Sequence, residues 1–129
     1  MRIEHMAIQV QDPAAVAAWY IEHLGFKVRV SLDAEPYTHF LADSSGSTLI
    51  ELYNNPAVHV PDYAAMDPLL LHLAFVVDDN AKEKARLLAA GATIAEDTKT
   101  TPAGDILTML RDPWGFCIQL CKRKESMLK

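Results

Sequence analysis

From Ile3 to Val10 the chain alternates, with Met6, Ile8 and Val10 on one face of an extended segment and His5, Ala7 and Gln9 on the other. Asp12-Pro13 then offers an N-cap followed by a proline at the first helical position. Val16, Tyr20 and Leu24 space an apolar stripe, and Gly25 ends the helix. Three short β-rich runs follow at 26–32, 37–42 and 48–53, the last two separated by the turn-forming Ser44-Ser45-Gly46. One unit therefore reads βαβββ. After a loop holding Pro56, Pro61 and Pro68, the same order returns. A strand is predicted at 70–77, and Asp79 caps a helix that runs through Ala90 and stops at Gly91. Strands follow at 93–95, 106–111 and 116–121, with Asp112-Pro113-Trp114-Gly115 turning into the last.

The repetition has a register. His5 and His72 are 67 residues apart, Glu51 and Gln119 are 68 apart, and Gly25 and Gly91, each just past a helical stretch, are 66 apart. A period of about half the chain is a duplication and not a solenoid. The expected architecture is α+β, with two repeats at about 1–55 and 69–123 inside a single domain spanning 1–129.

Face assignments turn the repeat into candidate chemistry. In the first strand of each unit the face opposite the histidine is apolar: Met6, Ile8 and Val10 in one, Leu71, Leu73, Phe75 and Val77 in the other. Those faces should pack on the helices. In the last strands Ile50 and Leu52, and likewise Ile118 and Leu120, form the packed face, which leaves Glu51 and Gln119 beside the histidines. Two imidazole nitrogens, a carboxylate and an amide oxygen suit one divalent transition metal, so His5, Glu51, His72 and Gln119 are the expected ligand set. Any one of them alone would read as ordinary strand polarity; four at matched positions make the site. Trp19, Trp114 and Met109 are expected to pack, and His23, His39 and His59, which have no partner at repeat spacing, are assigned no role.

Composition narrows the setting. Half of the 129 residues are apolar, enough for a sizeable core, and the net charge is −5. The one basic run, Lys122-Arg123-Lys124, reads as a solvated tail, so no nucleic-acid partner is expected. The opening Met-Arg-Ile-Glu-His lacks an apolar signal region and no stretch approaches a membrane span, which predicts a cytoplasmic protein without a membrane partner. Cys117 and Cys121, at i and i+4 of one strand, are too far apart to bridge each other, and reduced thiols fit that compartment. They share a face with Gln119 and are read as small pocket-lining residues.

The duplicated layout, the strand His5-Met-Ala-Ile-Gln-Val, the run Leu49-Ile-Glu51-Leu-Tyr-Asn, the strand His72-Leu-Ala-Phe-Val-Val-Asp and the ending Arg111-Asp-Pro-Trp-Gly-Phe-Cys-Ile-Gln119-Leu together resemble the vicinal oxygen chelate superfamily of glyoxalases, bleomycin-resistance proteins and dioxygenases. Among its branches the chain is most similar to glyoxalase I (lactoylglutathione lyase). The resemblance implies a glyoxalase-like fold, in which two modules form a curved open sheet with helices on the convex side. It also implies one divalent metal ion (nickel, zinc, manganese, cobalt or iron) that chelates two adjacent substrate oxygens and stabilises an enediolate as a proton leaves the neighbouring carbon. The family's ligand places fall on His5, Glu51, His72 and Gln119. Small members commonly form homodimers that exchange modules, so a homodimer acting on a small-molecule substrate is expected.

Two departures bear on activity. Glyoxalase-like enzymes carry glutamate in the final strand as ligand and proton shuttle, whereas this chain has Gln119, an amide that can ligate but cannot usefully take a proton. That leaves Glu51 as the catalytic base. Glutathione is a candidate cosubstrate: Asn55 matches the family's glutathione-contacting asparagine, but Gln9 stands where bacterial members of this size have arginine. The expected function is a metal-dependent lyase or isomerase of the glyoxalase type, with epimerisation of coenzyme A thioesters open. An extradiol-type dioxygenase and a fosfomycin-type thiol transferase both expect the carboxylate where Gln119 stands. A bleomycin-resistance-like module that binds drug without metal is the non-catalytic alternative. The loops at 54–68 and 98–105 are expected to shape the pocket.

Overall fold

In the computed structural model, which describes residues 1–128, both helices open where an aspartate can cap them. Asp12 accepts from the Ala15 backbone N–H ahead of α1 (Pro13–Leu24), and Asp79 accepts from the Lys82 N–H ahead of α2 (Asn80–Ala89). Gly25, at φ 74°, takes the left-handed position that stops α1.

The chain divides into two compact units, Met1–Pro61 and Asp62–Lys129. In the first, β1 (His5–Gln9), β2 (Lys27–Ser31), β3 (His39–Ala42) and β4 (Leu49–Tyr53) form a sheet in the order β1-β4-β3-β2, with β1 parallel to β4 and the other pairs antiparallel. In the second, β5 (Leu73–Val76), β6 (Thr93–Thr100), β7 (Ile106–Arg111) and β8 (Cys117–Lys122) repeat the arrangement as β5-β8-β7-β6, with β5 parallel to β8. Each unit is thus βαβββ, as the duplicated pattern predicts, and each helix packs on its own sheet. Val16 and Tyr20 of α1 are buried with Leu41, Ile50 and Leu52 in the first core; Leu87 of α2 is buried with Leu110, Ile118 and Leu120 in the second. Fully burying a side chain of this size contributes about 1.5–3 kcal/mol.

Three sequence expectations are corrected. The strand predicted from residue 70 begins at Leu73. Asp67 accepts from the Leu69 N–H at 2.9 Å while its carbonyl accepts from the Leu70 N–H at 3.0 Å, and this turn leaves Leu69, Leu70 and Leu71 exposed. Leu71 therefore does not join the packed face. The strand predicted at 93–95 runs on to Thr100, so the loop expected at 98–105 is shorter. Its polar residues escaped the alternation test because β6 is an edge strand and its pairing with β7 slips twice. Trp114, expected to pack, is more than a third exposed in its turn, whereas Trp19 and Met109 are buried as expected.

Side chains fasten the irregular segments. Asn80, at the start of α2, donates through Nδ2 to Ile106 O, Thr108 Oγ1 and Leu120 O, tying the helix to β7 and β8. Arg111 donates to the Tyr63 and Met66 carbonyls of the 62–66 segment and to Gly115 O. That segment lies so close that a Cβ on Gly115 would come within 2.7 Å of Ala64 Cβ, and Gly115 also sits at φ 91°. Gly115→Ala should lower stability by about 1–3 kcal/mol through overpacking and strain; an unchanged thermal midpoint would show that the 62–66 segment yields freely.

Candidate functional site

Register sets the site before any side chain is considered. On the parallel pair β1/β4, Ala7 stands opposite Glu51; on the parallel pair β5/β8, Ala74 stands opposite Gln119. The histidine lies two residues ahead of that alanine in both units, His5 at the start of β1 and His72 just before β5. A two-residue step along a strand keeps one face, so each histidine shares a face with its unit's Glu or Gln.

In the first unit the structure brings the pair into contact: His5 Nε2 lies 3.5 Å from Glu51 Oε2. The imidazole is held on its other sides. Its Nδ1 is 3.0 Å from Glu4 Oε2, and the Phe40 ring meets it edge-on, with centroids 5.4 Å apart at 82°. A carboxylate can only accept, so Nδ1 carries a proton and donates it to Glu4. In the neutral ring the Nε2 lone pair then faces the Glu51 carboxylate, two electron-rich groups that need a proton or a cation between them. Adjacent nitrogen and oxygen ligands of a tetrahedral zinc ion, at bond lengths of about 2.0–2.2 Å, are about 3.4 Å apart. The observed separation fits such a pair.

In the second unit His72 Nδ1 is 2.9 Å from Pro68 O. A carbonyl also only accepts, so Nδ1–H donates and Nε2 is the nitrogen left for a ligand. The turn at Asp67 that shortened β5 is what presents this carbonyl. Gln119 is 9% exposed, and its Oε1 accepts from the Cys121 thiol at 3.2 Å. It lies on the predicted face, but in a buried layer with Met109, Cys117 and Cys121. Among the described residues no group of three or more His, Cys, Asp or Glu side chains is gathered as an ion-binding cluster. The donors come in pairs, one to a unit.

Other candidates have structural work. Gln9 shares the face of His5, yet it is 7% exposed. Its Nε2 donates to Asn55 O and Val58 O at 2.8 and 2.9 Å, and its Oε1 accepts from the Asn55 N–H. This amide is committed to the loop after β4. Asn55 is exposed, with Oδ1 accepting from the Ala57 N–H. His39 donates to Tyr37 O, His23 meets the Trp19 ring at a tilt with centroids 5.1 Å apart, and His59 is exposed. Sequence reading missed Glu4 and Phe40. Phe40 was findable, because it stands opposite Glu51 once β3 and β4 are paired. No helix among the described residues is long and apolar enough to cross a membrane.

Comparison with known proteins points one way. The sequence model of the Glyoxalase/Bleomycin resistance protein/Dioxygenase superfamily matches residues 2–120. A lactoylglutathione lyase of Salmonella typhimurium is 26% identical over 132 residues, covering 98% of this chain and 96% of that one. TnmS3, an antibiotic binding protein from Streptomyces sp. CB03234, superposes with a TM-score of 0.71 at 22% identity, covering 96% of this chain and 97% of its own. A glyoxalase/bleomycin resistance protein/dioxygenase family enzyme from Burkholderia phytofirmans PsJN gives 0.74 at 21% identity, covering 95% and 98%. At such identities the two structures speak for the fold alone.

Burial pushes the Cys117 and Cys121 thiols above the ordinary thiol range, which disfavours thiolate ligation or redox work. A raised folded pKa favours the neutral thiol, so this contribution is complete below about pH 8.5, the ordinary thiol value, and is lost as pH climbs through the folded value. Both thiols should resist alkylation at pH 8 in the native protein and react at the free-cysteine rate only on unfolding. Fast native labelling at that pH would contradict their burial.

Proposed function

The chain belongs to the glyoxalase/bleomycin resistance protein/dioxygenase superfamily, and from that premise we propose that it is a metal-dependent lyase or isomerase acting on a small molecule with two vicinal oxygens. The observation that carries the proposal is the pairing of His5 Nε2 with Glu51 Oε2 at 3.5 Å, repeated in register by His72 and Gln119. His5, Glu51, His72 and Gln119 would hold one divalent ion, one donor pair coming from each module. When bound, the metal supplies Lewis-acid withdrawal of charge from the two substrate oxygens.

This chain's own residues do the rest. Glu51, with a side chain 20% exposed, is the base that takes a proton from the carbon beside the chelated oxygens. Gln119 ligates through its amide oxygen and leaves proton transfer to Glu51. Phe40 keeps the His5 ring in place. The commitment of Gln9 to the loop removes from thiol binding the position where similar bacterial enzymes carry arginine, and Asn55 alone speaks for glutathione. A substrate other than a glutathione conjugate is therefore the preferred reading, with coenzyme A thioester epimerisation one form of it. A homodimer in the cytoplasm is the expected setting.

A second reading, a non-catalytic binder of small molecules, draws on one observation. Gln119 Oε1 is already an acceptor for a buried thiol, as a ligand position relaxing into packing would be.

Metal content of protein purified without chelator, followed by titration with nickel, zinc, manganese, cobalt and iron, separates the two. About one ion per subunit is expected; failure to bind any of them would leave the binding module. Glu51→Gln should abolish turnover while keeping an oxygen ligand and measurable metal affinity, and turnover that survives would remove Glu51 as base. Gln119→Glu should raise activity on a hemithioacetal, and no change would count against the lyase reading.

A further inference from the structure

We infer that Glu4, the residue just ahead of β1, is a positioning residue that holds His5 ready for a metal ion. The inference rests on the metal reading of the site. The Glu4 carboxylate accepts from His5 Nδ1 at 3.0 Å, on the side of the ring opposite Glu51. A neutral histidine side chain in water places its proton more often on Nε2, so an Nδ1–H form needs a partner to select it. Glu4 is that partner. With the proton drawn to Nδ1, the Nε2 lone pair is presented toward Glu51 Oε2, and the edge-on Phe40 ring restricts rotation that would undo the choice. A carboxylate behind a ligating imidazole both orients the ring and strengthens the free nitrogen as a donor.

The second histidine lacks such a charge, because His72 Nδ1 donates to the neutral carbonyl of Pro68. The two histidines are therefore oriented by the same rule but with different partners. Glu4 makes His5 and Glu51 the stronger half of the donor set. Its side chain is 80% exposed, so water and salt weaken the contact. The effect on metal affinity should lie at the low end of the range for outer-sphere partners, about 10-fold.

The full-length wild type, Glu4→Gln and Glu4→Ala would be titrated with zinc and with nickel by calorimetry, at low and high salt. The His5 ring nitrogens of each metal-free protein would be observed by 15N NMR. In the wild type His5 should be mainly the Nδ1–H form, and Glu4→Ala should shift it toward Nε2–H and weaken metal binding about 10-fold. Glu4→Gln keeps an acceptor oxygen without the charge and should fall between the two, with the wild-type advantage shrinking at high salt. Variants that bind metal as the wild type does, with an unchanged His5 tautomer, would overturn the role of Glu4 alone. A wild type that binds neither metal would overturn the metal reading and this inference with it.

Discussion

The site depends on one pairing made twice, the parallel junction of a unit's first strand with its last. Alternate residues of a strand point to opposite faces, so a slip of one position between β1 and β4 would turn Glu51 into the helix-packed core and bring Ile50 or Leu52 out beside His5. Burying an unpaired carboxylate is costly, and so is exposing those two side chains. The apolar face that stabilises each module and the polar face that carries its donors therefore enforce the same register. In the second unit Ile118 and Leu120 do the same for Gln119. The joining strands are far apart in sequence, so the donors meet only once the whole unit has folded.

Duplication puts a similar donor pair in each unit, and the two pairs differ in charge. The first holds His5, Glu51 and the outer Glu4, all within reach of water. The second holds His72 and a buried glutamine whose neighbours are thiols and a thioether, and its histidine is turned by a carbonyl. Orientation is conserved between the halves while formal charge is concentrated in one.

The helices, the βαβββ order of elements and the donor-bearing faces were legible because each rests on a local rule: Asp12 and Asp79 as caps, alternation in β1 and β4, and a period that matches histidine to histidine. The failures had non-local causes. The turn at Asp67 overrode an apolar run that alternates well from residue 70, and the slipped pairing of β6 hid five polar strand residues from an alternation test. Gln9 shares a face with His5 and stands where similar bacterial proteins carry arginine. Its amide makes hydrogen bonds to a loop more than 40 residues away, which strand periodicity does not reveal. The orienting partners Glu4 and Pro68 O were invisible for a similar reason, since a carboxylate at a strand's edge and a backbone carbonyl carry no pattern.

The single carboxylate also constrains which chemistry the proposed site would suit. A metal enzyme with glutamates from both modules can approach a substrate carbon from two sides, removing a proton on one and returning it on the other. With Gln119 in the second module only Glu51 can carry a proton, and a base fixed on one side returns it to that side or to the neighbouring carbon. A shift of hydrogen between adjacent carbons needs no more than this. Inversion at one carbon needs a second acid, from solvent or from the substrate. Glu51 alone would therefore suffice for a hydrogen shift between adjacent carbons, while epimerisation, the other proposed form of the activity, would draw its second acid from solvent or from the substrate. The reason lies in proton inventory, not in metal affinity, because glutamine and glutamate both offer the metal an oxygen.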